Sequence, residues 1–243
     1  MWDLSRRVDD PELMDTVDYP APVVRRALAF LELTNRRFGG AAVVLRKLEA
    51  WSAGWNQDGP IHILDVGTGG GDIPLSIMRW GRRHGFKLKV TAVDSTPAIA
   101  DIARQRFGPD PDIEVVVGNL FELARSEERF DYVTASLFLH HVRPEETVEA
   151  LRACDRLAVR GLIISDLWRS WPSLIAVTSI SLLTGNFVVR HDAPLSVRRA
   201  FRVHELRELA GSAGVSYAVA SGEPCFRVSL AGEKPAGGKA DGR

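Results

Sequence analysis

The fold turns on Ile61-His62-Ile63-Leu64-Asp65-Val66-Gly67-Thr68-Gly69-Gly70-Gly71-Asp72, an apolar run that breaks into glycines at alternate positions and ends in an acid. Glycine at Gly67, Gly69 and Gly71 lets the backbone turn tightly and meet a ligand where a Cβ would collide. The stretch reads as strand, ligand loop and helix start. A second apolar run, Leu88-Lys89-Val90-Thr91-Ala92-Val93-Asp94, ends in its own acid about thirty residues later, the length of one βαβ unit. A carboxylate at that strand end suits the two hydroxyls of a ribose.

Two nucleotide-type cofactors fit this outline, and loop chemistry separates them. A dinucleotide site requires Gly-x-Gly-x-x-Gly, with the pyrophosphate on the helix N-terminus. Here the last glycine position holds Asp72, and a carboxylate beside a pyrophosphate is repelled. S-adenosylmethionine has no phosphate and carries a sulfonium and an ammonium, so Asp65 and Asp72 face positive charge instead.

These residues resemble the class I S-adenosylmethionine-dependent methyltransferases. Asp65-Val66-Gly67-Thr68-Gly69-Gly70-Gly71 is similar to that family's first motif, and Asp94, followed by Ser95, to its ribose-binding acid. Gly118-Asn119-Leu120 resembles the loop that meets the adenine. Phe130 to Ser136 resembles the fourth strand, whose end faces the methyl donor. The resemblance spans about Ile61 to Asp166, and it implies a cofactor site of Asp65, Gly67, Thr68, Gly69, Gly71, Asp72, Asp94, Ser95, Asn119, Leu120 and Ser136. One departure is visible: Asn119 stands where the family often has Asp. Its amide oxygen can still accept from the adenine amino group.

A chain of 243 residues, 45% hydrophobic and 26% charged, suits one α/β domain with an added cap. Lys+Arg 31 balances Asp+Glu 31, so no general attraction draws the protein to nucleic acid or anionic membrane. Cys154 and Cys225 lack metal-ligand spacing and suit a reducing cytoplasm. No metal is expected. Acids follow Met1 to Arg7 where a signal peptide has an apolar core, and the apolar stretch near Leu174 to Leu183 is too short to span a bilayer. A small-molecule substrate is the expected partner, and a homodimer is left open.

Val23 to Phe38 and Ala41 to Trp55 show helical spacing around the Gly39-Gly40 break, giving a helical N-terminal cap over residues 1–58. From residue 59 to 231, strands and helices alternate. The pattern is a Rossmann-like, doubly wound, mostly parallel seven-stranded sheet closed by an antiparallel C-terminal strand pair, Val215–Ser221 with Phe226–Ala231. Residues 168–201 read as a lid insertion, an apolar helix from Trp168 to Phe187 followed by a polar and basic loop from Val188 to Phe201. Residues 232–243, rich in Gly, Lys and Pro, read as a disordered tail. Ligand belongs at the carboxyl ends of the parallel strands.

Candidate chemistry lies in two places. His140 and His141 follow the fourth strand, where a histidine of near-neutral pKa can take a proton from a phenol or enol; packing is the competing role, above all for His140, which is also a candidate substrate contact. His191 and Asp192, with Arg198, sit in the lid, and the order from Asp166 through Trp168 and Arg169 to Arg199 resembles a subgroup of bacterial methyltransferases of polyketide-type biosynthesis. That likeness implies His191 as base or anchor, Asp192 as its orienter, and an arginine for a substrate oxygen. His141 and His191 are therefore the candidate catalytic residues, and His140, Trp168, Arg169, Asp192 and Arg198 the substrate contacts. Trp171, Leu174, Ile175, Leu182, Leu183 and Phe187 either line an apolar pocket or pack. Tyr19, Asn35, Arg36 and Phe38 either close over the cofactor or pack.

The expected function is methyl transfer from S-adenosylmethionine to a small aromatic or polyketide-like molecule, most simply at oxygen. N- or C-methylation on the same fold, a catalytically silent S-adenosylmethionine-binding protein, and an NAD-dependent oxidoreductase, which Asp72 opposes, are the rivals.

Overall fold

Ile63, Leu64 and Val66 are all buried, so this strand packs on both faces, as the centre of a parallel sheet requires. The computed structural model describes residues 3–17, 19–55 and 59–235. Strands β1 (Ile61–Val66), β2 (Leu88–Asp94), β3 (Ile113–Val117), β4 (Phe130–Ser136), β5 (Ala158–Leu167), β6 (Val219–Glu223) and β7 (Arg227–Glu233) form one sheet in the order β3-β2-β1-β4-β5-β7-β6. The first five pair in parallel; β7 runs antiparallel to β5 and to β6. The order reverses between β1 and β4, which opens a crevice at their carboxyl ends.

One face of the sheet is covered by α7 (Thr147–Leu157) and α10 (Val203–Ala213), which bury Leu151, Leu157 and Leu206 with Val133, Leu162 and Leu230. On the other face, α3 (Gly40–Ser52) and α4 (Asp72–His84) bury Val44, Leu48 and Ile77 against Ile63, Tyr132 and Ile163. Helix α3 therefore belongs to the sheet-covering layer and is no part of a separate cap. Helix α5 (Pro97–Phe107) follows β2. Among the described residues, no helix is long and apolar enough to cross a membrane.

The roof over the strand ends is built from α1 (Leu13–Thr16), α2 (Ala21–Arg37), α8 (Trp171–Leu182) and α9 (Phe187–Arg199). Residues 188–199, expected within a loop from Val188 to Phe201, lie in this last helix. Asn186 caps it by accepting from the N–H groups of Val188 and Val189, and Pro194 lies inside it. Periodicity misleads here because Asp192, Ser196 and Arg199 are buried polar residues, so the inward face is not apolar. The closing strand pair begins later than expected, at Val219 and Arg227, and β7 runs to Glu233. The expected tail thus starts inside a strand, and its residues 236–243 lie outside the described ones.

Candidate active site

A cavity of about 560 Å³ runs from the glycine loop to the roof. The loop is held by its own backbone: Thr68 N–H donates to the Val93 carbonyl at 3.0 Å, and Gly71 N–H to the Thr68 carbonyl at 2.9 Å. Gly67, Gly69 and Gly71 all have positive φ, of 66°, 54° and 76°. Their surroundings differ. A Cβ on Gly69 would meet nothing nearer than Leu28 Cδ2 at 3.7 Å, whereas one on Gly71 would fall on the Phe107 ring. Gly69 lines the cavity; Gly71 does not and is needed for packing α4 on α5.

Asp94 closes the loop from the neighbouring strand. Its Oδ2 accepts from Gly69 N–H and its Oδ1 from Thr96 N–H, each at 3.0 Å, which leaves a lone pair on each oxygen for a further donor. Burial raises its pKa, opposed by those two donors. Asp65 is buried and accepts from the Thr134 hydroxyl at 2.8 Å; burial pushes its pKa up to about 7. Asp72, the first residue of α4, accepts from Asn35 Nδ2 at 2.9 Å. Asn119 Oδ1 accepts from Phe121 N–H at 2.8 Å, capping the short helix α6 (Leu120–Leu123). Asp65, Gly67, Thr68, Gly69, Asp72, Asp94, Ser95, Asn119, Leu120 and Ser136 all line the cavity.

Beyond β4 the backbone is pinched. Leu137 has a φ of +54° and donates its N–H to the Ser165 carbonyl at 2.8 Å, turning the chain into a 3₁₀ turn at Leu139–His141. His140 is buried, with Nδ1 at 2.6 Å from Asp166 Oδ1 and its backbone N–H at 3.0 Å from Asp166 Oδ2. Burial alone would raise the pKa of Asp166; the facing imidazole and the N–H donors of Leu167 and His140 outweigh it and lower it. On the other side of the ring, Nε2 stands 3.7 Å from Glu12 Oε1, which also accepts from the Ser196 hydroxyl at 2.8 Å. His141 Nδ1 bonds Asp15 Oδ2 at 2.9 Å. Burial lowers the His141 pKa, but the Glu12 and Asp15 carboxylates overcome this and push it up to about 9, so His141 is a cation at neutral pH.

The segment carrying Glu12 and Asp15 is strapped down by two arginines, the buried Arg199 and the half-buried Arg7. Arg199 donates to the carbonyls of His140, His141 and Asp10 at 2.9, 2.9 and 2.6 Å, and Arg7 to those of Arg199 at 2.6 Å, His140 at 2.8 Å and Val142. Asp192 accepts from the N–H groups of Leu13 and Met14 at 2.8 and 3.1 Å, capping α1. Glu12, Asp15, Asp166 and Arg199 escape sequence reading because the partners named here lie 26 to 192 residues away.

Four lid candidates do not reach the cavity wall. His191, with half its side chain exposed, is turned toward Asp192 at 2.7 Å; Asp192 itself lines the cavity. Arg169 is fully buried, donating to the carbonyls of Leu4 at 3.1 Å and Ala200 at 2.6 Å and paired with Glu205. Trp168 bridges to Phe201 as an added strand residue. Arg198 is near Asp10, at 3.8 Å. Trp171, Ile175, Leu182, Leu183 and Phe187 are exposed and Leu174 packs on Leu4 and Val197; the α8 residues that do line the cavity are Ala176, Val177 and Ile180, on one helical stripe. Asn35 and Phe38 line it as well, whereas Tyr19 packs edge-on against Phe187 and Arg36 is exposed.

Residues 63–161 match the family model described as a methyltransferase domain. An uncharacterized methyltransferase of Staphylococcus carnosus is 29% identical over 91 residues, 37% of this chain and 39% of that protein, so the match spans about two fifths of the relative's length. Among solved structures, an O-methyltransferase family 2 protein from Planctomyces limnophilus in complex with apigenin aligns with a TM-score of 0.62 at 17% identity, covering 90% of this chain and 63% of that one. The plantazolicin methyltransferase in complex with S-adenosylhomocysteine aligns at 0.61 and 13%, covering 87% and 96%. Magnesium protoporphyrin IX methyltransferase from Synechocystis, with bound S-adenosylhomocysteine, aligns at 0.53 and 17%, covering 81% and 83%. Over residues 63–161 the chain is thus similar to methyltransferase domains, and its seven-stranded sheet has the Rossmann-like fold of the solved methyltransferases.

Proposed function

We propose that this protein methylates a hydroxyl of a small aromatic or polyketide-like molecule, using S-adenosylmethionine and the His140–Asp166 pair. The observation that carries the reading is the continuity of one cavity from the glycine loop and Asp94 to His140. The residues suit the cofactor: the loop leaves open space at Gly69, Asp94 offers lone pairs to the ribose, Asp65 and Asp72 offer negative charge to the ammonium, and the buried Ser136 hydroxyl has no hydrogen-bond partner among the described residues. Bound there, S-adenosylmethionine supplies a methyl group on a sulfonium, an electrophile that needs no Lewis acid.

The protein's own task is to align the acceptor, exclude water and take a proton. The role requires the tautomer that donates Nδ1–H to Asp166, which leaves the Nε2 lone pair free beside Glu12. A substrate hydroxyl in this space gives its proton to Nε2. Asp166 and Glu12 then flank the imidazolium, and the buried carboxylates hold it in place. His141, already cationic, is suited to holding a substrate oxygen. Leu28, Phe30, Phe38, Val177 and Ile180 form apolar walls suited to an aromatic or acyl body, and α8 and α9 serve as the lid. Turnover of a panel of phenols, enols, amines and carboxylic acids tests the reading: methylation confined to hydroxyl acceptors supports it, and transfer only to amines contradicts it.

A further inference from the structure

Arg227 opens β7, opposite Leu167 of the antiparallel neighbour β5, so it stands at the carboxyl edge of the parallel strands, where ligand belongs. Its side chain lines the cavity and is 3% exposed. Nη2 donates to Asn35 Oδ1 at 2.6 Å and Nε to the Phe38 carbonyl at 3.3 Å, while Nη1 is buried with no partner. Both partners are neutral. Among the described residues no carboxylate lies within ion-pair distance of this guanidinium; of the other two buried arginines, Arg169 has Glu205, and Arg199 spends Nε, Nη1 and Nη2 on the carbonyls of His140, Asp10 and His141. A buried charge lacking a counter-charge is costly, and a bound anion removes that cost.

The position is built rather than incidental. Asn35 donates its Nδ2 to Asp72, which turns its amide oxygen to Arg227. Gly40 leaves room for both, since a Cβ there would lie 2.8 Å from Asn35 Cγ and 2.9 Å from Arg227 Nη2. Arg143, which also lines the cavity, is exposed and already paired with Glu146. We infer that Arg227 binds the carboxylate at the amino-acid end of S-adenosylmethionine. The inference rests on the cofactor reading above. With the adenine at the loop after β3 and the ribose at Asp94 after β2, the sheet order β3-β2-β1-β4-β5-β7 carries the amino-acid end past β1, toward the side where Arg227 stands. Asp65 and Asp72 then meet the ammonium, and Arg227 meets the carboxylate through Nη1.

Calorimetric titration of the full chain with S-adenosylhomocysteine and with its decarboxylated analogue, S-adenosyl-3-thiopropylamine, tests this. The wild type should bind the carboxylate-bearing ligand about 10- to 100-fold more tightly, the range of one charge-assisted contact. In Arg227→Gln that preference should fall to within about twofold, through weaker binding of S-adenosylhomocysteine alone, and Arg227→Lys should keep part of it. Equal binding of the two ligands by the wild type overturns the inference whether or not the variants fold. So does a variant that weakens both ligands alike, which makes Arg227 a scaffold residue. If the wild type binds neither ligand, the cofactor reading itself fails and the inference with it.

Discussion

His140 and Asp166 are joined twice: the imidazole Nδ1 lies 2.6 Å from one carboxylate oxygen, and the backbone N–H of the same histidine lies 3.0 Å from the other. The ring therefore cannot rotate without breaking the pair, and Nε2 stays turned toward Glu12. A base fixed in this way is typically worth about 10²–10⁴-fold in rate. His140→Gln should lower turnover by that order while leaving S-adenosylhomocysteine affinity within about twofold. The loss should shrink as pH approaches the acceptor's own pKa, because a pre-ionised oxygen needs no base. A rate within about threefold of wild type at neutral pH would exclude the role.

His141 gives a pH dependence of stability with a definite sign. Its folded pKa is raised to about 9 from an ordinary value of 6.5, so the charged form is favoured in the folded state. The stabilisation is fully present below about pH 6.5 and is lost as pH rises through about 9. Thermal melts between pH 6 and 10 should show this loss, and Asp15→Asn, which removes one of the carboxylates holding the proton, should flatten it. Identical profiles for the two proteins would contradict the assignment.

Asp65 titrates in the opposite functional sense. Burial holds its pKa at about 7 without ligand, and an ammonium beside it favours the carboxylate. Binding of S-adenosylhomocysteine near pH 6 should therefore release a proton, seen as a binding enthalpy that changes with the ionisation enthalpy of the buffer. Asp65→Asn should abolish that dependence. A buffer-independent enthalpy in the wild type would mean that Asp65 does not meet the ammonium.

The glycines separate ligand access from packing. Gly69→Val places a branched side chain on the cavity wall at a φ of +54° and should abolish cofactor binding in a protein that still folds. Gly71→Ala sets a Cβ against the Phe107 ring and should chiefly lower the melting temperature. Asp94→Ala should weaken binding by about 1.5–3 kcal/mol. Circular dichroism melts together with titration distinguish these outcomes.

The cofactor half of the site was legible because its residues are adjacent in sequence: strand, glycine loop and acid report a backbone shape that few other sequences need. The proposed acceptor half was not. His140 and Glu12 are 128 positions apart, and the buried polar faces of α9 and the N-terminal segment resemble solvated surface until each is seen to partner the other. His191 next to Asp192 reads as a dyad in sequence, but in the helix Asp192 turns in to cap α1 and His191 remains outside. Arg227 carries no local signal, since a lone arginine at a strand start is ordinary; only its uncompensated burial marks it.

Calorimetric titration of the purified protein with S-adenosylhomocysteine and, separately, with NAD tests the central claim most directly. One-to-one saturable binding of S-adenosylhomocysteine, weakened in Asp94→Ala, with no heat from NAD, is the predicted result. Saturable binding of NAD, or no binding of S-adenosylhomocysteine at about millimolar concentration, would contradict it.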